Sequence, residues 1–442
     1  MYSPQEAATY FLARLIEPTR ILVAVSGGSD SIGLLLSLHQ ALAAGGGASH
    51  TLVSATVDHG LRPEAADEAK VVALLCQNLG IPHAIHRWDG AKPKSGISAA
   101  ARDARYQLLM QAADAAGADV IVTGHTIDDQ VETIAMRAAR SGADVNLGLA
   151  GMAEAVLLER RRWLLRPFLS VRREAIRDFL REQGRGWLDD PSNADVHYER
   201  VRVRAGLEDE HAMVPQDIQS AGSRRMQLAQ DAAELAHRHL RIERNVLARL
   251  APEALNENGE TLRHLLATLA AIFGGRPHLP ASTTMTRVMA MLDGQRMGRT
   301  TAGRVIFDLR RQGLFLHREA RDLPIIHVGS GTQAVWDGRY RIVNETSEDV
   351  TVVATPPDRE IALELFPDIP PAIAMRAMGV MPHVGVGPAL SGDKASVIVR
   401  PILAPFDRFL PQFDVILARK LGLLFGYDEL PAAPIKVLEQ KS

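Results

Sequence analysis

Cysteine is almost absent from this 442-residue chain, which contains only Cys76. A single cysteine excludes a disulfide framework within the chain, a cysteine-bound zinc site and an iron–sulfur cluster. Because Cys76 lies in the apolar segment 73–76 of a predicted helix, we expect a buried core thiol and not a nucleophile.

Long apolar runs and a strong net charge are also missing. No stretch reaches the roughly 18 uninterrupted apolar residues of a membrane span. Residues 1–20 lack a basic start followed by an apolar signal core, so we expect a cytoplasmic protein that makes no membrane contact. The net charge of −2 gives no sign over the whole chain of nucleic-acid binding.

Positive charge is concentrated locally. Residues 155–205 contain twelve arginines and eight acidic residues, and residues 224–250 contain six arginines and three acidic residues. These segments are compatible with an RNA partner. A chain of this length predicts about three domains. We place them at 1–210, 211–325 and 326–442, with a linker at 215–223 and a long helix at 224–250.

The most informative segment is Ser26-Gly27-Gly28-Ser29-Asp30-Ser31, which follows the apolar run 21–25. This pattern predicts a buried strand, a glycine turn and the start of a helix. Such a turn binds phosphates, because glycines allow close approach of the backbone and the helix start carries unpaired N–H groups. The alternative is an ordinary turn with Asp30 or Ser31 as helix cap.

Predicted strands and helices alternate as far as about residue 206, which is typical of an α/β protein with a doubly wound parallel sheet. We predict strands at 21–25, 52–57, 83–88, 119–122 and 162–168, and helices at 3–16, 64–79, 97–116 and 171–183. A mostly helical middle domain with short strands near 298–305 and 313–316 should follow. A small α+β C-terminal domain should come last.

Polar residues follow several of these strands, where open α/β sheets bind ligands. Asp58 ends the second strand. Arg102 and Arg105 are three apart on a helix, so they share a face that can reach a phosphate or a carboxylate. A solvated arginine pair is the alternative.

The segment after the fourth strand carries four polar residues at helical spacing: His125, Asp128, Asp129 and Glu132. An apolar stripe lies opposite: Ile127, Val131, Ile134 and Ala138. An acidic stripe at the end of a strand is expected to face the nucleotide crevice. For Asp128 and Asp129, the helix dipole alone is an alternative explanation.

Two arginine-rich segments come later. We expect the charges of the helix at 171–183 to form a solvated face. Arg200, Arg202 and Arg204 alternate with valines, so an extended strand would place all three on one side, which suits a polyanion.

The loop at 26–31 resembles that of the N-type ATP pyrophosphatases, and it is neither a Walker A loop nor the spaced-glycine dinucleotide fingerprint. Residues 21–205 together resemble the tRNA(Ile)-lysidine synthase family. The motifs that carry this resemblance are Ser26 to Ser31, Val57 to Arg62, Ala101 to Tyr106, Thr123 to His125, Asp128 to Thr133, Arg166 to Phe168, Asp189 to Asn193, and Arg200, Arg202 and Arg204. Thr126 and Val201 depart from the pattern, since family members usually have a histidine and an asparagine there.

This resemblance implies an adenine nucleotide α-hydrolase-like fold and a reaction that joins free L-lysine to the wobble cytidine of a CAU-anticodon tRNA(Ile). ATP would be the substrate that activates the cytidine, with Mg²⁺ as cofactor. The implied ATP-binding residues are Ser26, Gly27, Gly28, Ser29, Asp30, Ser31, Asp58, Arg102 and Arg105, with Asp30 also at the metal. The implied catalytic residues are His125, Asp129, Glu132 and Arg202.

Two alternatives to this function stay open. The first is another N-type ATP pyrophosphatase, because the loop marks the superfamily and not the substrate. The second is a nucleotide-binding or RNA-binding module without chemistry. The acidic stripe disfavours the second, since carboxylates near phosphates hinder binding unless a metal or a cationic substrate is present. The oligomeric state stays open.

Overall fold

A computed structural model of the protein describes residues 2–45, 49–93, 95–140, 147–188, 202–203, 215–294, 297–386 and 396–436. The chain divides into two compact units, Met1–Ser223 with Pro431–Ser442, and Arg224–Leu430. The second unit contains most of both the predicted middle and C-terminal domains, and the three-domain division stays a prediction. No described helix is long and apolar enough to cross a membrane.

The first unit is built on a mostly parallel sheet, as predicted. Its strands are β1 (Arg20–Ala24), β2 (Thr51–Asp58), β3 (His83–Arg87), β4 (Val120–Val122), β5 (Ala155–Leu158) and β6 (Arg162–Leu165). Its helices are α1 (Pro4–Arg14), α2 (Ser29–Ala43), α3 (Ala65–Asn78), α4 (Ile97–Ala115), α5 (Ile127–Arg140) and α6 (Arg173–Glu182). A short 3₁₀ helix occupies Leu147–Ala150. The predicted strands and helices are confirmed, with small shifts at their ends.

The strands of this unit lie in the order β5–β6–β4–β1–β2–β3. All neighbours are parallel except β5 and β6, which form an antiparallel hairpin. Strand β5 is not among the predicted strands, because its four apolar residues carry no signal that separates a strand from a buried helix turn.

Strand β1 is central to this unit. It pairs with β2 on one side and β4 on the other, so its apolar residues 21–25 are all buried. Helix α2 packs against α6 so closely that a Cβ on Gly33 would lie 2.3 Å from Cγ2 of Ile176. Cys76 is buried, as predicted. The chain moves from β1 to β2 on one side and later crosses to β4 on the other. The carboxyl ends of β1 and β4 therefore form the switch point at which such sheets bind ligands.

Helix α7 (Pro215–His239) corrects two predictions. Residues 215–223 are helical and not a linker. The long helix expected at 224–250 ends at His239, and the remainder forms the hairpin strands β7 (Leu240–Glu243) and β8 (Leu247–Leu250). Arg244 and Asn245, which connect these strands, both have positive φ angles, so the chain reverses where the composition alone favours helix.

The remainder of the second unit combines helices with antiparallel sheets. The next elements are α8 (Gly259–Gly274), α9 (Ser282–Asp293), β9 (Gly298–Ala302), β10 (Val305–Arg310) and β11 (Gly313–Arg318). The order β7–β8–β11–β10–β9 forms a five-stranded sheet. Helices α7, α8 and α9 confirm a helical middle region. A short 3₁₀ helix lies at Pro252–Asn256.

The C-terminal part has the predicted α+β character. Its strands are β12 (Ile326–Val328), β13 (Gln333–Trp336), β14 (Tyr340–Asn344), β15 (Val350–Ala354), β16 (Pro382–Val386), β17 (Val397–Pro401) and β18 (Phe409–Pro411). Its helices are α10 (Arg359–Leu365), α11 (Pro371–Met378), α12 (Ala404–Asp407) and α13 (Val415–Leu424), with a 3₁₀ turn at Gln412–Asp414. Trp336, Ile342 and Ile373 belong to one buried apolar cluster of this unit.

Candidate active site

The loop between β1 and α2 wraps over the start of the helix. The backbone N–H of Ser26 donates to Oγ of Ser31 at 3.1 Å, and that hydroxyl donates to the carbonyl oxygen of Gly28 at 3.0 Å. Oγ of Ser29 donates to the Asp30 carboxylate at 2.9 Å. The hydroxyls of Ser29 and Ser31 therefore shape the loop, and the first turn of α2 supplies the N–H groups and the dipole that attract anions.

Gly27 has two reasons to be glycine. Its φ of 86° lies in the left-handed region, which side chains with a Cβ rarely adopt. A Cβ at this position would also lie only 2.8 Å from Cδ1 of Leu188, whose backbone N–H donates to the Gly27 carbonyl oxygen at 2.9 Å. Leu188 thus holds the tight turn from outside.

A cavity of about 320 Å³ lies beside this loop. Its lining includes Ser26, Asp58, His59, Arg62 and Arg105. Three residues that the sequence analysis assigns to ATP binding from separate motifs, Ser26, Asp58 and Arg105, therefore meet here. A cavity of this size is typical of a small-molecule site.

Two titratable side chains of this cavity, Asp58 and His59, are shaped by their surroundings. Asp58 is buried and accepts the backbone N–H of Gly60 at 2.8 Å. Burial lowers the pKa of His59, and the positive charge of Arg105 lowers it further. The lowered pKa favours the neutral form of His59.

Arginines surround Tyr106 on helix α4. Arg102 is exposed, with Cζ 5.1 Å from the centre of the Tyr106 ring, and Arg166 is buried and hydrogen bonds to the Tyr106 hydroxyl. Burial acts to raise the pKa of Tyr106, but Arg102, Arg166 and Arg105 outweigh it and lower the pKa. Burial also lowers the pKa of Arg105 itself. The predicted shared face of Arg102 and Arg105 thus belongs to a cluster suited to anions.

The structure also brings together three acids of the predicted site. Asp30 from α2 and both Asp129 and Glu132 from α5 lie around the guanidinium of Arg173. Arg173 is not among the predicted site residues, because the charges of the helix at 171–183 are predicted to form a solvated face. That prediction is wrong for Arg173, whose side chain is only 18% exposed.

Helix α5 begins with a reciprocal cap. Oδ2 of Asp129 accepts the backbone N–H of Thr126 at 2.7 Å and its hydroxyl at 2.9 Å. The backbone N–H of Asp129 donates in turn to Oγ1 of Thr126 at 3.4 Å, so Thr126, the departure from the family pattern, serves as the helix cap. Asp129 also lies in the first turn of α5, where the helix dipole named above as the alternative explanation favours an acid, but Oδ1 of the same carboxylate faces Arg173 at 3.0 Å.

The predicted polar stripe is only partly correct. His125 lies two residues before α5 and its Nδ1 is 2.9 Å from Oγ1 of Thr123, so it is not on the helix. Asp128 accepts the backbone N–H of Arg173 at 2.8 Å and thereby fixes the start of α6. The opposite apolar stripe ends at Ile134, since Ala138 is exposed.

Arg202 lies in a two-residue described segment, 202–203, which is helical and not extended, and its side chain is exposed. The other members of this predicted group, Arg200, Val201 and Arg204, lie outside the described residues, as does the segment 189–193.

Asp30 can supply only a small part of the ligands of a metal site. Its Oδ2 accepts from Nε of Arg173 at 3.1 Å and its Oδ1 accepts from Ser29. The described part of the chain contains no group of three or more histidine, cysteine or acidic side chains that could hold a metal ion. Asp30 therefore fits Mg²⁺ only alongside phosphate oxygens of the nucleotide, which is a common arrangement for this ion.

The parallel sheet, the glycine loop and the cavity beside it define a protein of the PP-loop class, and the family model of the PP-loop domain matches residues 4–211. The chain is 45% identical to the tRNA(Ile)-lysidine synthase of Rhizobium meliloti (strain 1021), covering 97% of both chains. It is 39% identical to that of Mesorhizobium japonicum, covering 94% of both. Among solved structures it is similar to the U34-tRNA thiolase NcsA from Methanococcus maripaludis, with 16% identity and a TM-score of 0.40 over 49% of this chain and 75% of that one. The chain belongs to the tRNA(Ile)-lysidine synthase family.

Proposed function

We propose that the chain joins free L-lysine to C2 of the wobble cytidine of a CAU-anticodon tRNA(Ile), with ATP converted to AMP and pyrophosphate. One observation carries this proposal. The ATP loop after β1 lies directly against the acidic segment after β4, because a Cβ on Gly124 would be 2.6 Å from the carbonyl oxygen of Asp30. The segment that we assign to the nucleotide and the segment that we assign to a substrate cation are therefore contiguous.

The first step activates the base. The C2 carbonyl oxygen of cytidine attacks the α-phosphorus of ATP, the bond between the α-phosphorus and its bridging oxygen breaks, and pyrophosphate leaves. We assign the loop Ser26–Gly28 and the start of α2 to the phosphates that leave. Arg105, which lines the cavity, stabilises the charge that develops on the phosphates, an effect typically worth several kcal/mol in a transition state.

The second step transfers lysine. The ε-ammonium group loses a proton, the amine attacks C2, and the C2–O bond breaks so that AMP leaves with that oxygen. We assign Asp129 and Glu132 to the ammonium group, because these buried carboxylates attract a cation more strongly than exposed ones do. His125, beside this pair in the chain, lies close to the activated base, and either a carboxylate or His125 accepts the proton.

Asp30 would contribute one oxygen to Mg²⁺ together with the phosphates. When bound, the ion would neutralise phosphate charge. We assign Arg102 and Arg202, both exposed, to phosphate or carboxylate groups of the substrates.

The tRNA would also contact the accessory regions 211–325 and 326–442. Because the substrates are tRNA, ATP and lysine, we place the reaction in the cytoplasm. Salt-dependent tRNA binding that survives deletion of residues 211–442 would refute the accessory contact.

The function is tested with purified protein, ATP, labelled lysine and an in vitro transcript of CAU-anticodon tRNA(Ile). The proposal predicts that AMP release, pyrophosphate release and lysine incorporation all require the transcript. A transcript with a GAU anticodon is the matched control and should not accept lysine. Pyrophosphate release that ignores both lysine and tRNA would instead identify another ATP pyrophosphatase.

A further inference from the structure

Arg173 makes an unusual set of contacts, because each of its three side-chain nitrogens faces a different carboxylate. Nε lies 3.1 Å from Oδ2 of Asp30, Nη2 lies 3.0 Å from Oδ1 of Asp129, and Nη1 lies 3.6 Å from Oε1 of Glu132. Asp30 is on α2 and the other two acids are on α5, while Arg173 is on α6. One planar group thus connects three helices.

The electrostatics favour a lasting contact. Burial acts to lower the pKa of Arg173, but Asp129, Asp30 and Glu132 outweigh it and raise the pKa. Three acids around one cation still leave an excess of negative charge. That excess can attract a substrate cation, whereas the same acids without Arg173 would repel one another at short range.

The backbone fixes the position of Arg173. Its N–H donates to Asp128, and the N–H of Ile127 donates to the carbonyl oxygen of Val171 at 3.1 Å, so α5 and α6 begin side by side. On its other side, α6 packs against Gly33 of α2 through Ile176. The contacts of the guanidinium therefore depend on the relative position of the ATP loop and helix α5.

We propose that Arg173 is a positioning residue that couples the ATP loop to the carboxylates that receive lysine, an inference that rests on the proposed function. When the nucleotide binds at the loop and Asp30, a shift of Asp30 moves the guanidinium of Arg173. Asp129 and Glu132, which contact the same guanidinium, then move with it. Lysine binding then depends on the presence of the nucleotide. Arg173 itself touches neither substrate in this account.

The test measures the dissociation constant for lysine by calorimetry on the full-length protein, with and without a non-hydrolysable ATP analogue and Mg²⁺. In the unaltered protein the analogue should lower that constant about tenfold, within the usual range of coupling between sites. In the Arg173→Met variant, the ratio of the lysine dissociation constant without the analogue to that with it should fall to about one. Arg172→Met is the matched control, because Arg172 is 39% exposed and lies 3.7 Å from the Asp128 carboxylate, and it should keep the ratio.

Arg173→Lys separates charge from geometry. A lysine keeps the charge, but its single nitrogen cannot face three acids, so this variant should also lose the ratio. A normal ratio in Arg173→Lys or Arg173→Met, or no effect of the analogue in the unaltered protein, would overturn the proposal. If melting temperatures show that both variants lose their fold, Arg173 is purely structural and the proposal is overturned as well.

The two proposals fail in different ways. If the unaltered protein neither binds lysine nor incorporates it into tRNA, the proposed function fails and this inference fails with it. If lysine is bound and incorporated but the ratio does not depend on Arg173, only the coupling fails.

Discussion

Gly124, two residues after β4, packs directly on the backbone of Asp30 at the start of α2. A Cβ on Gly124 would lie 2.6 Å from the Asp30 carbonyl oxygen and 3.1 Å from the Ser31 backbone nitrogen. Since the backbone of a helix start cannot move aside as a flexible side chain can, this contact sets the spacing between the ATP loop and the acidic segment.

Gly124→Ala should therefore separate these two segments. We expect kcat/KM for lysine incorporation to fall by at least about tenfold, because a small displacement of reacting groups is costly. Gly186→Ala is the matched control, since nothing lies within 4 Å of a Cβ there and its φ is also outside the left-handed region. Steady-state kinetics of both variants check this, and similar activities for the two would contradict the close contact.

Arg105 and Arg102 should differ in their effects on ATP. Arg105 lines the cavity, whereas Arg102 is exposed beside Tyr106. Arg105→Met should lower kcat/KM for ATP by about tenfold or more, because the charge that develops on the phosphates loses its partner, and Arg102→Met should lower it less. The measurement is the rate of pyrophosphate release against ATP concentration. Equal decreases in both variants would contradict the assignment of Arg105 to the phosphates.

His264 on α8 should make the second unit sensitive to acid. It is 8% exposed, its Nε2 has no hydrogen-bond partner among the described residues, and burial lowers its pKa. As pH falls through about 6.5, the unfolded chain binds a proton that the folded chain still refuses. Stability is therefore full above that pH and is lost as pH falls towards the lower folded-state pKa.

Melting temperatures at about pH 7.5 and about pH 5.5 test this, because they bracket the ordinary histidine pKa. The fall between the two should be smaller in His264→Gln than in the unaltered protein. His327→Gln, at an exposed position, should show the unaltered fall. An equal fall in His264→Gln would contradict the assignment to His264.

The sheet and the ATP loop were predictable because their signals are local. The apolar run 21–25 can only be buried, and the paired glycines 27 and 28 require a tight turn, so the order of elements follows from the chain itself. Strand β5 and the hairpin β7–β8 were not predictable. Short apolar runs and arginine-rich segments are compatible with helix as well as strand, and only tertiary contacts determine which forms.

Spacing along the chain predicts which residues of the candidate site share a helix face, but not how the elements of the site connect. Spacing on one helix indicates that Asp129 and Glu132 share a side, whereas no local pattern shows that Arg173, more than forty positions later, lies between them and Asp30. The same holds for Arg166, which meets Tyr106 only through the fold. His125 was misplaced because α5 begins two residues later than the stripe requires.

The division of labour between the ATP loop and the acidic helix is tested most directly by Asp129→Asn. An asparagine still offers an oxygen to Thr126, so the cap of α5 is kept while the charge that we assign to lysine binding is lost. Pyrophosphate release with ATP and tRNA alone, in a single turnover, is measured beside lysine incorporation. We predict that pyrophosphate release stays within about threefold of normal while incorporation falls by about 100-fold or more. An equal loss of both would place Asp129 in the activation of cytidine and contradict this account.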